Sequence, residues 1–247
     1  MIGAPMLNDM AYHLIVSVLE IFMWDGDLIG EENLQDGPGV IVANHMGAVG
    51  PVGMCSSLPM RLYPWVLGAT VDKVKGPETV SKDFVENILH IQPPLSETIA
   101  EAICKISTPL LLSVGCIPVP DTHQEQEETF RTSLALLKQG KFLLIVPEDP
   151  EAEPDPLTGI QAFKHGFLRL GEQYYQDTGA RLPFYPVAIH EAGLVIVGKP
   201  IAYNPLHDAR TERLRMVSIL EQTIKSMHME ATENQIVEPI IFKRKIS

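Results

Sequence analysis

The sequence predicts an α/β protein with a mostly parallel or mixed central sheet covered by helices on both faces. Short apolar segments alternate along the chain with amphipathic helical patterns. These apolar segments are nearly continuous rather than alternating, which is typical of strands buried on both faces of a sheet. With 247 residues and 45% hydrophobic content, the chain suits one large domain or a domain with an appendage. We therefore assign residues 1–37 to an N-terminal amphipathic helix and its connection, and residues 38–247 to the α/β domain.

The individual elements follow from apolar runs, helical periodicity and breakers. The predicted strands are Gly39–Ala43, Leu62–Ala69, Ile117–Val119, Phe142–Val146, Phe184–Ile189 and Leu194–Val197, with an edge strand at Val237–Phe242. The predicted helices are residues 50–60, 78–91 and 95–113, then Glu125–Lys138, Gly166–Thr178 and Ala209–Met229. The polar, Gly-rich stretch Asp25–Gly39 is predicted to be a connection.

The apolar run Ala11–Trp24 predicts the N-terminal helix. One narrow polar stripe interrupts its apolar surface, formed by Asp9, His13, Ser17 and Glu20. The run is too short for a bilayer, which needs about 20 residues. It is interpreted either as a helix packed on the domain or as a helix in the membrane interface, with Tyr12 and Trp24 at headgroup level. The second interpretation makes residues 11–24 a peripheral membrane contact, although no Lys or Arg lies on the polar face.

Charge and cysteine content narrow the class of protein. The net charge of -12 argues against a nucleic-acid partner and against holding a membrane by charge alone. The three cysteines have no paired spacing, so neither a disulfide framework nor a metal site is expected. No basic segment precedes the first apolar run, so no signal peptide is expected. These features predict a cytoplasmic protein, peripheral at the inner membrane face if the N-terminal helix binds there.

The pair Asn44-His45 is the strongest candidate for chemistry. It directly follows the apolar strand Gly39–Ala43 and opens a Gly-rich loop, residues 46–50. In α/β proteins the carboxyl ends of strands are where ligands bind. An imidazole at that position titrates near neutral pH and can act as an acid or a base.

Three later segments follow Asn44-His45 in a recognisable order. They are Gly115–Val119, Leu136–Glu148 and Leu182–Ile189, with two shorter segments at Phe163–Gly166 and Gly198–Ile201. Together, over roughly residues 38–225, they resemble the motifs of the glycerolipid (lysophosphatidic-acid-type) acyltransferase superfamily.

The resemblance implies a reaction and a set of residues. His45 would be the general base, taking a proton from an acceptor hydroxyl that attacks an acyl thioester. The implied partners are an acyl thioester donor, either acyl-CoA or acyl carrier protein, and a lipid acceptor, with no further cofactor. Glu148 is retained from the motif and is the second catalytic candidate. The implied substrate-binding positions are Asn44, Gly50, Ile117, Pro118, Asp121, Pro147, Asp149 and Lys164. Lys164, with His165, is interpreted either as a donor to the thioester or its phosphates or as a surface residue at a helix start.

Several positions depart from the motif. Gly50 replaces the Asp that orients the catalytic His, a loss that costs about 10²–10⁴-fold in rate if nothing replaces it. The motif's arginines fall on Asp121 and near Pro150-Glu151, and its Gly falls on Asp149. Acidic side chains repel a phosphomonoester, so a neutral hydroxyl or an amine-bearing lipid is the expected acceptor.

The acidic run Asp149–Asp155 admits two interpretations. Its alternating carboxylates suggest calcium, but the prolines and the missing central Gly fit no calcium loop, which favours a solvated acidic loop.

For the whole protein the leading hypothesis is an acyltransferase with a divergent acceptor. The alternative hypotheses are a catalytically silent relative that binds a lipid or a protein partner, and a thioester hydrolase on the same scaffold.

Overall fold

A computed structural model describes residues 8–14, 26–47, 49–86, 89–120 and 126–237. The protein has an open central sheet of mostly parallel strands flanked by helices, which confirms the predicted fold class. The strands are β1 (Asp27–Ile29), β2 (Gly39–Ala43), β3 (Leu62–Leu67), β4 (Ile117–Val119), β5 (Phe142–Ile145), β6 (Pro183–His190), β7 (Leu194–Val197) and β8 (Ile201–Ala202). The α-helices are α1 (Val49–Ser57), α2 (Gly68–Val71), α3 (Lys75–Val80), α4 (Leu95–Val114), α5 (Gln126–Lys138), α6 (Arg169–Thr178) and α7 (Ala209–Val237).

The chain divides into two compact units. The first is formed within Met1–Val18, Gly37–Gly39 and Met60–Ile145. The second is formed within Leu19–Asp36, Val40–Pro59 and Val146–Ser247.

The first unit is built on three parallel strands in the order β5-β3-β4. Leu62 of β3 lies opposite Phe142 of β5, and Trp65 lies opposite Ile117 of β4. Helix α5 covers this part of the sheet through the Trp65 ring, which meets Phe130 edge to face with centroids 5.6 Å apart. The Trp65 indole also donates a hydrogen bond of 2.9 Å to the hydroxyl of Ser133 on α5. An aromatic pair with a satisfied indole N–H fixes the helix on the strands.

The described start of the N-terminal helix packs on the first unit. Residues 9–14 are helical, and the Tyr12 side chain is buried, with its hydroxyl accepting the Leu62 N–H at 3.3 Å. The Arg61 guanidinium lies 4.9 Å from the ring centres of both Tyr12 and Tyr63 and pairs with Asp9 at 2.9 Å. This portion supports the packed interpretation of the helix, whereas residues 15–25 lie outside the described residues. Within the described ranges, no helix is both long and apolar enough to cross a membrane.

The second unit is organised around β6. This strand pairs in parallel with β2 and antiparallel with β7 and β8, while β1 pairs in parallel with β7. Every residue of β2 is buried, as the continuous apolar run predicts for a strand covered on both faces. Helix α7 packs on β6 and contributes the buried side chains of Met216, Leu220 and Ile224 at helical spacing.

Several elements differ from the sequence-based predictions. The supposed connection Asp25–Gly39 contains β1, and the short strand β8 was not predicted. The predicted helix 78–91 is instead α3 followed by a π-helical segment, Ser81–Glu86. The last predicted strand, Val237–Phe242, is wrong at Val237, which ends α7, and its remaining residues lie outside the described part of the chain.

Candidate active site

Asn44 extends the pairing of β2 with β6 beyond the end of the strand. Its side-chain amide donates to the Ile189 carbonyl at 3.0 Å, and its carbonyl oxygen accepts the Ile189 N–H at 2.8 Å. A primary amide carries one donor group and one acceptor, so it can replace a backbone partner in the ladder. Asn44 is buried, and it holds the chain in a defined position just before His45.

His45 is exposed, and its backbone is anchored. The His45 N–H donates a hydrogen bond to Oε1 of Glu148. Among the residues that the structure describes, no carboxylate hydrogen-bonds the His45 ring. The imidazole is therefore accessible to a substrate, but no acidic side chain in the described residues fixes its tautomer.

Glu148 binds backbone on both sides. Its second oxygen, Oε2, accepts the Gln161 N–H at 2.9 Å. Because one carboxylate oxygen goes to the His45 backbone and the other to the Gln161 backbone, Glu148 joins the two loops. The sequence identified this residue, but not that its partner is the His45 main chain instead of the ring.

A short antiparallel pairing holds Glu148 in place. The Asp149 N–H donates to the Ala162 carbonyl at 2.8 Å, and the Lys164 N–H donates to the Pro147 carbonyl at 2.8 Å. Glu148 and Phe163 face each other in this bridge. The segments 147–149 and 161–164 therefore form one rigid support for the predicted site residues Pro147, Glu148, Asp149 and Lys164.

Helix α7 supports this bridge from a second direction. The Phe163 N–H donates to the Glu221 carboxylate at 2.9 Å, and Lys225 pairs with Glu221 at 2.8 Å. Lys225 also lies 3.5 Å from the Asp155 carboxylate. Burial lowers the pKa of Lys225, but the two carboxylates outweigh it, so the pKa is raised and the amine stays charged. The sequence did not point to Glu221 and Lys225. Helix α7 carries many charged residues, and its sequence alone does not show which of them contact the neighbouring loop.

The single lysine of the motif is paired with an acid. Lys164 Nζ lies 3.1 Å from Oδ1 of Asp149. The Glu151 N–H and the Lys164 amine lower the pKa of Asp149, so its carboxylate is ionised at neutral pH. The charge of Lys164 is therefore balanced within the protein.

Gly50, where the motif has its acid, lies in the first turn of α1. Its N–H donates to the Met46 carbonyl at 3.0 Å. A Cβ atom built on Gly50 would lie 3.2 Å from the Cβ of Met46. The position is buried, and a side chain there requires Met46 to move slightly.

Two further predicted positions lie in the first unit. Ile117 is buried in β4 of the first unit, and the Pro118 carbonyl accepts the Thr129 hydroxyl at 2.6 Å. Asp121 lies outside the described residues. In the acidic loop, Asp155 accepts the N–H groups of Leu157 and Thr158 at 3.0 and 3.1 Å, as expected for a carboxylate that stabilises a turn.

Comparison with known proteins gives a similarity of fold. No known family model and no curated protein sequence matches this chain. Among solved structures, the chain is similar to the crystal structure of the 1-acyl-sn-glycerophosphate (LPA) acyltransferase PlsC from Thermotoga maritima. The TM-score is 0.51 at 13% sequence identity, over 90% of this chain and 79% of that chain. The fold thus resembles that of a glycerophosphate acyltransferase.

Proposed function

We propose that the protein is an acyltransferase that moves a fatty acyl group from an acyl thioester to a hydroxyl or amine of a lipid-like acceptor. The single observation that carries this proposal is the exposed His45 ring beyond the carboxyl end of β2, on a backbone fixed by Asn44 and Glu148. A base held on a rigid backbone and open to solvent is suited to meet a substrate. The order of the sequence motifs and the similarity of fold support the same reaction class.

The proposed chemistry needs one proton acceptor. His45 takes the proton of the acceptor hydroxyl or amine as its oxygen or nitrogen bonds to the thioester carbonyl carbon. The carbon–sulfur bond then breaks, and the sulfur leaves as a thiol after receiving the proton from the imidazolium. The products are an ester or amide and the free thiol carrier, so no other reactant is needed.

The charges near His45 support an acceptor without a phosphomonoester. A phosphate needs cations with free hydrogen-bonding capacity. Lys164 is instead engaged by Asp149 at 3.1 Å, and the neighbouring Glu151 is exposed and acidic. A dianionic acceptor would have to displace a carboxylate from this lysine. A neutral hydroxyl or a cationic amine meets no such competition.

The test is acceptor-dependent thioester consumption. Purified protein is given acyl-CoA or acyl-loaded carrier protein with acceptor lipids that carry or lack a phosphomonoester, and thiol release and acylated product are both measured. We expect product with the neutral or amine acceptors, and its loss in His45→Ala. The matched control is His90→Asn, because His90 is exposed with φ of 56°, a backbone conformation that Asn tolerates.

Two results would point elsewhere. Thiol release that does not depend on the acceptor indicates a thioester hydrolase. Absence of release with every donor refutes the acyltransferase. Acyl transfer that survives His45→Ala refutes His45 as its base.

A second candidate is a silent relative that binds acyl ligands without turnover. The observation that favours it is the missing acid. Gly50 carries no side chain, and the Glu148 carboxylate is occupied by backbone N–H groups. Binding of a fluorescent fatty acyl probe with no turnover, and with equal affinity in His45→Ala, would support this candidate.

A further inference from the structure

A cluster of titratable side chains lies at the carboxyl end of β6. His190 is the last residue of that strand, Glu191 follows it, and His228 projects from α7. One ring nitrogen from each histidine and one carboxylate oxygen of Glu191 lie within 4.8 Å of one another. The proposed acyl transfer uses none of these three side chains.

The His190 ring is held on both nitrogens. The Ala192 N–H donates to Nδ1 at 3.1 Å, so the proton of the neutral ring lies on Nε2, 3.0 Å from the Thr232 hydroxyl oxygen. The Thr232 hydroxyl donates in turn to the His228 carbonyl at 3.1 Å. These bonds orient His190 towards α7. In a ligand histidine one nitrogen keeps such an outer contact while the other binds the metal, so His190 would give up one of the two.

His228 is buried, but among the described residues its ring lacks the hydrogen bonds that a buried polar group normally makes. Its side chain is 9% exposed, and Nε2 lies 4.0 Å from the Glu191 carboxylate, beyond hydrogen-bond distance. Within the described part of the chain, its Nδ1 has no hydrogen-bond partner. The ring centre lies 4.6 Å from that of His190. Burying such a ring is unfavourable unless another species satisfies it.

We propose that His190, Glu191 and His228 form a binding site for a divalent transition metal of the Zn²⁺ type. Two imidazoles and one carboxylate match the ligands that Zn²⁺ selects, with a fourth position left for water. Ligand atoms around tetrahedral Zn²⁺ lie about 3.3 Å apart, so the cluster must contract. The Glu191 side chain is 78% exposed, so it can move towards the two histidines. His190 would exchange one of its present hydrogen bonds for a bond to the metal.

The metal would join two parts of the second unit. It would connect α7 to His190 at the end of β6. His190 directly follows Ile189, whose backbone is hydrogen-bonded to the Asn44 side chain. Metal binding should therefore stabilise the folded protein. The sequence does not predict this cluster, because its two histidines are far apart along the chain and do not follow the spacing of a known metal-binding motif.

The test uses the full chain freed of metal with a chelator. Co²⁺ is titrated and its visible absorption recorded, because tetrahedral coordination gives intense bands. Zn²⁺ affinity is measured by competition with a chromophoric chelator, and the melting temperature is recorded with and without Zn²⁺. The variants are Glu191→Ala and His228→Asn, and the control is Glu230→Ala, an exposed acid on the same helix.

We expect one equivalent of metal per chain and a higher melting temperature in the wild type and in Glu230→Ala. Glu191→Ala should weaken binding about 10–100-fold, and His228→Asn should abolish it. Glu191 is on the surface, so its variant is expected to fold even if His228→Asn does not. Absence of binding, or binding that Glu191→Ala leaves unchanged, would overturn the proposal. No readout involves acyl transfer, so this result is independent of the proposed enzyme activity.

Discussion

Replacing Glu212 by Gln should reveal how strongly one buried carboxylate stabilises the second unit. Glu212 lies in the first turn of α7 with its side chain fully buried. It accepts two hydrogen bonds from the Arg215 guanidinium at 2.6 and 2.8 Å, one from His207 Nδ1 at 2.6 Å, and one from the Asn204 N–H at 2.9 Å. The helix that supports the candidate site is thus tied to the preceding loop by a single ionised group.

The size of the effect follows from the pKa of Glu212. Burial raises the pKa, but the hydrogen bonds from Arg215, His207 and the Asn204 backbone outweigh burial and lower it from 4.5 to about 2. This difference corresponds to about 3 kcal/mol of stabilisation of the folded state. Because the folded-state pKa is depressed, the stabilisation is fully present above pH 4.5 and is lost as the pH falls towards 2.

The assay is urea unfolding, followed by far-UV circular dichroism, of the wild type and Glu212→Gln at neutral pH and near pH 3. We expect the free energy of unfolding to differ by about 3 kcal/mol at neutral pH and by less than half of that near pH 3. The control is Glu230→Gln, which removes an exposed carboxylate from the same helix and should change little. A difference that is small at neutral pH, or that does not shrink in acid, would refute the reasoning.

Three further predictions concern the candidate active site. Asn44→Ala removes two buried hydrogen bonds, so it should lower the free energy of unfolding by about 2–3 kcal/mol in denaturant titrations and abolish acyl transfer. Gly50→Asp restores an acid near the base and should raise kcat at least about tenfold; Gly50→Asn should not. The new Cβ would lie 3.2 Å from that of Met46, so Gly50→Asp should lose some stability. Equal rates for Gly50→Asp and Gly50→Asn would contradict an orienting role. Asp149→Asn frees Lys164 and should increase the relative kcat/KM for a phosphomonoester acceptor, and an unchanged ratio between acceptors would exclude this pair as a selectivity determinant.

The sequence predicted the strands that are apolar throughout. Residues 39–43 and 117–119 match β2 and β4, and the predicted strands near β5, β6 and β7 differ by one residue or less at each end. Strand β1 was missed, because Asp27-Leu28-Ile29 is a three-residue run in a polar segment and pairs only with β7. Tertiary pairing decides such a short strand, since its own residues give no periodic signal.

The sequence proposes residues for the candidate site but not their contacts. Motif order points to His45 and Glu148, yet a linear sequence carries no information on whether a carboxylate meets a ring or a backbone N–H. Glu221 and His228 lie on α7 among many polar residues, and their roles depend on which face of the helix meets the loop or the strand. These partners are set by packing between distant segments, which local patterns do not encode.

Strand β6 has a consequence for the exchange of backbone protons with solvent. It is paired on both sides, and seven of its eight residues are buried. Its amide protons should therefore exchange only when the second unit opens as a whole, whereas amides in the exposed acidic loop exchange through small local fluctuations. Ile189, whose amide proton is held by Asn44, belongs to the slow class. His45, the proposed base, is thus positioned by one of the most slowly opening segments of its unit, while the exposed acidic loop opens far more readily.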